Sequence, residues 1–147
     1  MKYVFGALVV VLGLSGIAQA GPYTDEMSKC LVRSTSEGDR TLLIEWVYAA
    51  MSSHPDVQAM SRVSPQMKAS LSKRTANLMM TLLTERCKTE TEQAVKYEGK
   101  NSLRVSFEIL GKVAMRGLMS DPNVAKYVGQ LDNYVDEDKL KRMLHTQ

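Results

Sequence analysis

The sequence predicts an all-α fold, a single-domain bundle of about six to seven helices stapled by one disulfide. Apolar residues recur three and four positions apart along almost the whole chain, and no alternating stretch is long enough to indicate a strand. Proline, glycine and capping residues divide this pattern into helix-sized segments. Two cysteines, Cys30 and Cys87, each lie on an apolar helical stripe.

The first twenty residues have the pattern of a cleavable secretory signal peptide. Lys2 gives a positive start, residues 4–14 are apolar, and Ala18 and Ala20 place small side chains where signal peptidase requires them. A membrane anchor is the alternative, but a spanning helix needs about 20 apolar residues, and this stretch is shorter. We therefore expect cleavage after Ala20, export to the periplasm of a Gram-negative bacterium, and no stable membrane anchor afterwards.

The mature chain, residues 21–147, is long enough for one hydrophobic core and is expected to form a single helical domain. Loss of Lys2 lowers the formal charge from +3 to +2. Because basic and acidic residues are interspersed, this balance indicates neither a nucleic-acid partner nor an anionic membrane surface.

The first three helices are predicted from caps and prolines. A short helix is expected at residues 25–33. Ser36 followed by Asp39 resembles a capping box and starts a second helix that runs to about residue 53. We expect Trp46 to anchor this helix in the core, on a stripe with Leu42 and Ala49. The His-Pro pair at residues 54–55 ends the second helix and starts a short third one.

The fourth helix is predicted to be the longest. Ser64 caps it, Pro65 suits its first turn, and Gly99 offers a stop after Glu98. A break near Thr89 is the alternative to one continuous helix. Its apolar residues form two neighbouring rows, one of Met67, Leu71, Thr75, Leu78 and Leu82, and one of Met79, Leu83 and Cys87.

The last three helices follow from the same signals. Asn101 and Ser102 are expected to cap a fifth helix with its stripe at Leu103, Phe107, Leu110, Ala114 and Leu118. A Ser-Asp-Pro boundary at residues 120–122 opens a sixth helix that runs to Tyr134, and Asp136 caps a short final one. The boundary at residues 119–124 resembles the one at residues 51–57. Ser, Asp and Pro are expected at helix boundaries in general, which explains this similarity. Duplication of a helix pair is the alternative.

The two cysteines predict a disulfide. An even pair in an exported protein is typically bonded. Met27, Cys30 and Leu31 share one apolar face, and Cys87 lies on another with Ala76, Met80 and Leu83. Two buried free thiols are the alternative. A redox-active pair is disfavoured because the chain has no C-x-x-C spacing.

Catalytic and cofactor motifs are missing from the sequence. The two histidines, His54 and His145, do not form H-x-x-x-H or H-E-x-x-H, and there is no G-x-S-x-G. The acidic segment at residues 132–138 lacks the glycine and terminal glutamate of an EF-hand loop. We therefore expect neither enzymatic activity, nor a metal site, nor a cofactor.

Methionine is abundant, with nine residues left after signal removal from the ten in the full chain. Met79 and Met80 are adjacent, and Met115 and Met119 are one helical turn apart. Exported copper carriers use such thioether ligands. Core packing by flexible methionine side chains is the favoured interpretation.

Three tyrosines are predicted interface residues. Tyr97, Tyr127 and Tyr134 flank charged residues near helix ends. A large apolar ring with a polar tip is typical of protein interfaces. Ordinary, partly exposed tyrosines are the alternative.

The stretch CLVRSTSEGDR at residues 30–40, with Leu42, Trp46 and the His-Pro pair at residues 54–55, resembles a family of small exported helical proteins of Gram-negative bacteria. The resemblance extends to the MSDP segment at residues 119–122 and implies no catalytic residues. In size, export, helicity and disulfide, the chain is also similar to periplasmic immunity proteins, which bind and block toxins of rival bacteria.

These observations together favour a periplasmic binding or inhibitor protein, an immunity factor that blocks an interbacterial toxin by occlusion. The expected partner is thus a protein. A small-ligand or copper carrier of the cell envelope is one alternative. A periplasmic chaperone is another, although the L-T-x-x-Q repeat of helical chaperones is not found in the sequence.

Overall fold

A computed structural model describes residues 20–145. The predicted signal peptide, except Ala20, lies outside the described residues, as do residues 146 and 147. The described part is all-α and forms a single domain, as the sequence predicted. Its helices are α1 (Pro22–Arg33), α2 (Glu37–Met51), α3 (Pro55–Gln58), α4 (Pro65–Thr81), α5 (Lys88–Glu98), α6 (Asn101–Met119), α7 (Pro122–Gly129) and α8 (Glu137–Leu144).

Helix α6 lies at the centre of the bundle. It packs against α1 and α5 and also against α2, which in turn packs against α4. These five helices and the turn after α4 share one hydrophobic core, formed by Met27, Leu31, Leu42, Leu43, Ala49, Leu71, Leu78, Leu82, Ala94 and Leu110. Burial of this apolar surface is the main term that holds the helices together.

The predicted long fourth helix is split, so residues 20–145 form eight α-helices where the sequence suggested six or seven. A π-helical turn, Leu82–Arg86, follows α4, and the Cys87 amide donates to the Leu82 carbonyl oxygen over 2.8 Å. Cys87 then leaves helical geometry at φ −124° and ψ 35°. The break thus falls two residues before the predicted position at Thr89.

The π turn also decides which way Cys87 faces. A π turn inserts one residue into the helical repeat, so Cys87 is buried five positions after the buried Leu82. The predicted stripe of Cys87 with Ala76 and Met80 is therefore wrong, since both of those residues are exposed.

The predicted disulfide is confirmed. Cys30 in α1 and Cys87 are bonded, with their Cα atoms 5.9 Å apart and 57 positions apart in the chain. This Cα separation is usual for disulfides. The bond links α1 to the segment between α4 and α5, and both cysteines are buried in the core cluster.

An ion pair beside the disulfide fixes the start of α2. The Arg86 guanidinium donates to the Asp39 carboxylate over 2.7 Å and to the Ser34 carbonyl oxygen over 2.8 Å. Partial burial opposes ionisation of Asp39, but hydrogen bonds from Arg86 and Ser36 hold its pKa below the usual value. Stability from this carboxylate is therefore present at neutral pH and is lost as the pH falls through that lowered pKa.

Most predicted helix boundaries are confirmed. Ser36 and Asp39 form the capping box at the start of α2, and Gly99 ends α5 at φ 83°, a value that favours glycine. The predicted caps of α6 are wrong. Asn101 and Ser102 lie inside its first turn, and the Ser102 hydroxyl donates back to the Gly99 carbonyl oxygen. The sixth predicted helix ends early, at Gly129, and continues to Tyr134 as a 3-10 turn.

Small polar residues bring α1 and α6 together. The Ser28 hydroxyl donates to the Thr24 carbonyl oxygen over 2.7 Å and lies 3.1 Å from the Ser106 hydroxyl. Because serine is short, the two helices approach closely while each buried hydroxyl keeps a partner. The predicted apolar stripe of α6 does not include Ser106.

Candidate binding surfaces

An apolar groove runs between α2, α4 and α6. It encloses about 340 Å³. Its apolar lining comes from all three helices, chiefly Ile44, Trp46, Val47, Met79, Phe107 and Met115. We call this surface the groove. Its size falls within the usual range for small-molecule sites.

Polar groups are few in the groove, and its two charged side chains are paired with each other. The Arg104 guanidinium pairs with the Glu108 carboxylate and also donates to the Asn101 side chain. Arg104 therefore offers little free charge to an anionic ligand. An uncharged or largely apolar surface fits the groove best.

Trp46 does not have the position expected from the sequence. It is only partly buried, and it packs against the edge of the core while it lines the groove. The sequence expectation of a core anchor on α2 is met instead by Leu42 and Leu43, which are buried.

A second apolar surface lies on residues 122–145, which we call the arm. The arm consists of α7, the 3-10 turn Gln130–Tyr134 and α8. Among these residues only Val124 is partly buried, and all the others are exposed. We call the rest of the described chain, residues 20–121, the body. Of the helices of the body, α6 is the one with which the arm makes its main contact.

Apolar side chains of the arm fall at helical spacing. Tyr127, Leu131 and Tyr134 are 76%, 66% and 86% exposed. Leu140, Met143 and Leu144 repeat the pattern on α8. Isolated apolar residues are common on protein surfaces, whereas a large contiguous apolar patch is typical of an interaction site.

The arm is nevertheless well specified as helix. The Asp121 carboxylate accepts from the amides of Asn123 and Val124, and Pro122 occupies the first turn of α7. The Asp136 carboxylate accepts from the Lys139 amide at the start of α8. These caps favour helix in a segment that lacks tertiary support.

Two of the three predicted interface tyrosines lie in the arm, Tyr127 in α7 and Tyr134 in the 3-10 turn. Tyr97 lies near the end of α5, where its ring stacks on Tyr23 with centroids 4.6 Å apart, and the Lys96 ammonium lies 5.0 Å above it. α6 separates this end of the bundle from the arm by about 27 Å along its axis.

Aliphatic residues of the arm were missed as interface candidates. Leu131, Leu140 and Met143 are exposed, although less so than Tyr127 and Tyr134. The sequence pattern that could have indicated them is their amphipathic spacing. The same spacing is typical of a helix whose apolar face is buried against the rest of its own domain.

The methionine pairs do not pack in the core as the sequence predicted, and one member of each pair lines the groove. Met79 and Met115 line the groove. Their neighbours Met80 and Met119 are about half exposed and lie outside it. Within residues 20–145, no group of three or more histidine, cysteine, aspartate or glutamate side chains is placed to hold a metal ion.

None of the described helices is long and apolar enough to cross a membrane. Comparison of the chain with protein-family models, with curated proteins and with solved structures finds no match.

Proposed function

We propose that this chain is an exported binding protein of the periplasm, an immunity factor that blocks a toxin by occlusion. The observation that carries the proposal is the arm, a capped helical element whose apolar side chains lie in solvent. Elements of this kind bind by laying an apolar helix face into a groove of the partner. The partner is therefore expected to be a protein with an apolar groove.

The body supports this role by rigidity. The disulfide ties α1 to the segment between α4 and α5, and the Arg86–Asp39 ion pair ties that segment to α2. Helix α6, from which the arm emerges, packs against α1, α2 and α5. A fixed attachment point means that little order has to be gained in the body on binding, which favours tight association. Inhibition by occlusion needs no catalytic group, because the bound arm and body would cover the surface through which the toxin acts.

A capture experiment tests this proposal. The mature chain, residues 21–147, is immobilised and exposed to periplasmic extract and to the products of neighbouring genes. We expect one specific protein to be retained at micromolar concentration or below, and we expect co-expression of the chain to protect cells from it. Retention of no protein, together with no protection in co-expression, would contradict the proposal.

The groove favours a second candidate function, an envelope carrier of small apolar ligands. Its apolar lining and its volume of about 340 Å³ suit an acyl chain. Native mass spectrometry of the purified protein with added dodecan-1-ol, an uncharged probe, is the test. A carrier is expected to retain one dodecan-1-ol, whereas a copper carrier would show the mass of the metal.

The methionine pairs supply a matched control for this test. Met79→Gln/Met115→Gln places two polar groups in the groove and is expected to abolish the added mass. Met80→Gln/Met119→Gln makes the same chemical change outside the groove and is expected to leave it. No adduct on the unaltered chain, or equal loss in both variants, would contradict the carrier function.

A further inference from the structure

The start of α1 is capped by a side chain from α5. Gly21 occupies the N-cap position and has no side chain to satisfy the first amides of the helix. The Glu98 carboxylate takes this role. It accepts from the Tyr23 and Thr24 amides, each over 2.9 Å, and from the Thr24 hydroxyl. Partial burial opposes ionisation of Glu98, yet these hydrogen bonds hold its pKa below the usual value.

The same carboxylate lies against Gly21. A Cβ atom built on Gly21 would be 2.2 Å from Glu98 Oε1 and 2.7 Å from Oε2. A side chain at this position would therefore displace the carboxylate. Within one residue the Cβ site and the backbone nitrogen are about 2.5 Å apart, so the Gly21 nitrogen lies within about 5 Å of Oε1.

We propose that removal of the first twenty residues creates an ion pair between the α-ammonium of Gly21 and the Glu98 carboxylate, which locks the start of α1 onto the end of α5. Hydrolysis of the peptide bond after Ala20 consumes one water and leaves a carboxylate on Ala20 and an amine on Gly21. That amine is protonated at neutral pH, because an α-amino group titrates at about 7.7–8.0. In the uncut chain the same nitrogen is a neutral amide. The inference depends on the export part of the proposed function, and on no property of the partner.

The ion pair offsets an unfavourable interaction that cleavage after Ala20 would create. A positive charge at the N-terminus of a helix is opposed by the helix dipole. A carboxylate within about 4–6 Å reverses this effect and favours the charged amine. Arg104, Glu108 and Lys112 of α6 line the same concave surface as Gly21 and Glu98. Arg104 and Glu108 form an ion pair with each other, and the Glu98 carboxylate supplies the atoms nearest to a Cβ built on Gly21. Glu98 is therefore the acidic group placed to pair with the new terminus.

Acetylation of the new terminus tests the ion pair. The chain beginning at Gly21 is released from a cleavable fusion, and half of it is acetylated at the α-amine, which removes the charge. The Glu98→Gln variant is treated in the same way. We expect acetylation to lower the Tm of the unaltered chain by about 3 °C. In the Glu98→Gln chain we expect acetylation to leave the Tm unchanged or to raise it. Without the carboxylate, the charged amine has only its unfavourable interaction with the helix dipole, and acetylation removes that interaction.

A titration of the α-amine provides a readout that a purely structural role for Glu98 would not move. We expect the pKa of the Gly21 amine to be higher in the unaltered chain than in the Glu98→Gln variant. An unchanged or raised Tm on acetylation of the unaltered chain, or equal amine pKa values in the two chains, would overturn the inference. Either result leaves the capture experiment untouched, so the two failures are distinguishable.

Discussion

The Cys30→Ala/Cys87→Ala chain is expected to be less stable than the unaltered protein by about 4 kcal/mol in free energy of unfolding. The bond closes a loop between residues 57 positions apart, and without it the unfolded chain gains the corresponding entropy. Small domains are typically stable by about 5–15 kcal/mol. We therefore expect the variant to unfold at much lower urea concentration, and to be partly unfolded at growth temperature if the parent lies at the lower end of that range.

Urea unfolding followed by circular dichroism measures this loss. Reduced, unaltered protein is the control, because it keeps both buried sulfur atoms and lacks only the covalent link. We expect the reduced chain to lose most of what the double variant loses. A loss below about 1 kcal/mol, the size of an ordinary single substitution, would show that the cross-link does not hold the bundle together.

Replacing the apolar stripe of the arm is expected to weaken partner binding at least about 100-fold, or roughly 2.7 kcal/mol. The variant is Tyr127→Ser/Leu131→Ser/Tyr134→Ser. Large aromatic and aliphatic side chains carry most of the binding energy of such interfaces. Because all three side chains are exposed in the free protein, their loss is expected to change the stability of the body by no more than about 0.5 kcal/mol.

A matched variant separates the stripe from the arm as a whole. Lys126→Ser/Gln130→Ser/Lys139→Ser changes three exposed polar residues of the same arm and introduces the same number of serines. Its affinity for the captured partner, measured by calorimetry, is expected to stay within about threefold of the parent, as for rim residues. Equal affinity of both variants and the parent would contradict the role of the arm.

The fold was largely predictable because most helix boundaries in this chain are set by residues that lie close to them in the sequence. Ser36 with Asp39, Ser64 with Pro65, and Gly99 each act within a few residues. The disulfide was predictable because an even pair of cysteines in an exported chain is typically bonded. The predicted apolar face held for Cys30, which lies beside the buried Met27 and Leu31, but not for Cys87.

Features that depend on distant contacts were not predictable. The π turn before Cys87 places this residue where it bonds to Cys30 of α1. The local sequence of α1 or of the turn does not by itself predict this arrangement. Glu98 caps a helix 74 residues away in the chain, where the local sequence suggested only a C-terminal stop. The stripe of the arm has the spacing of a core-facing helix, so only the structure distinguishes a surface left in solvent from one packed against the bundle.

The account depends centrally on the claim that this chain is exported and held together by a disulfide. Intact-mass analysis of the protein recovered from the cells that make it tests that claim most directly. The account predicts a chain that starts at Gly21, is two hydrogens lighter than its reduced form and takes up no alkylating reagent before reduction. A chain that retains residues 1–20, or one that alkylates at both sulfurs in its native fold, would contradict it.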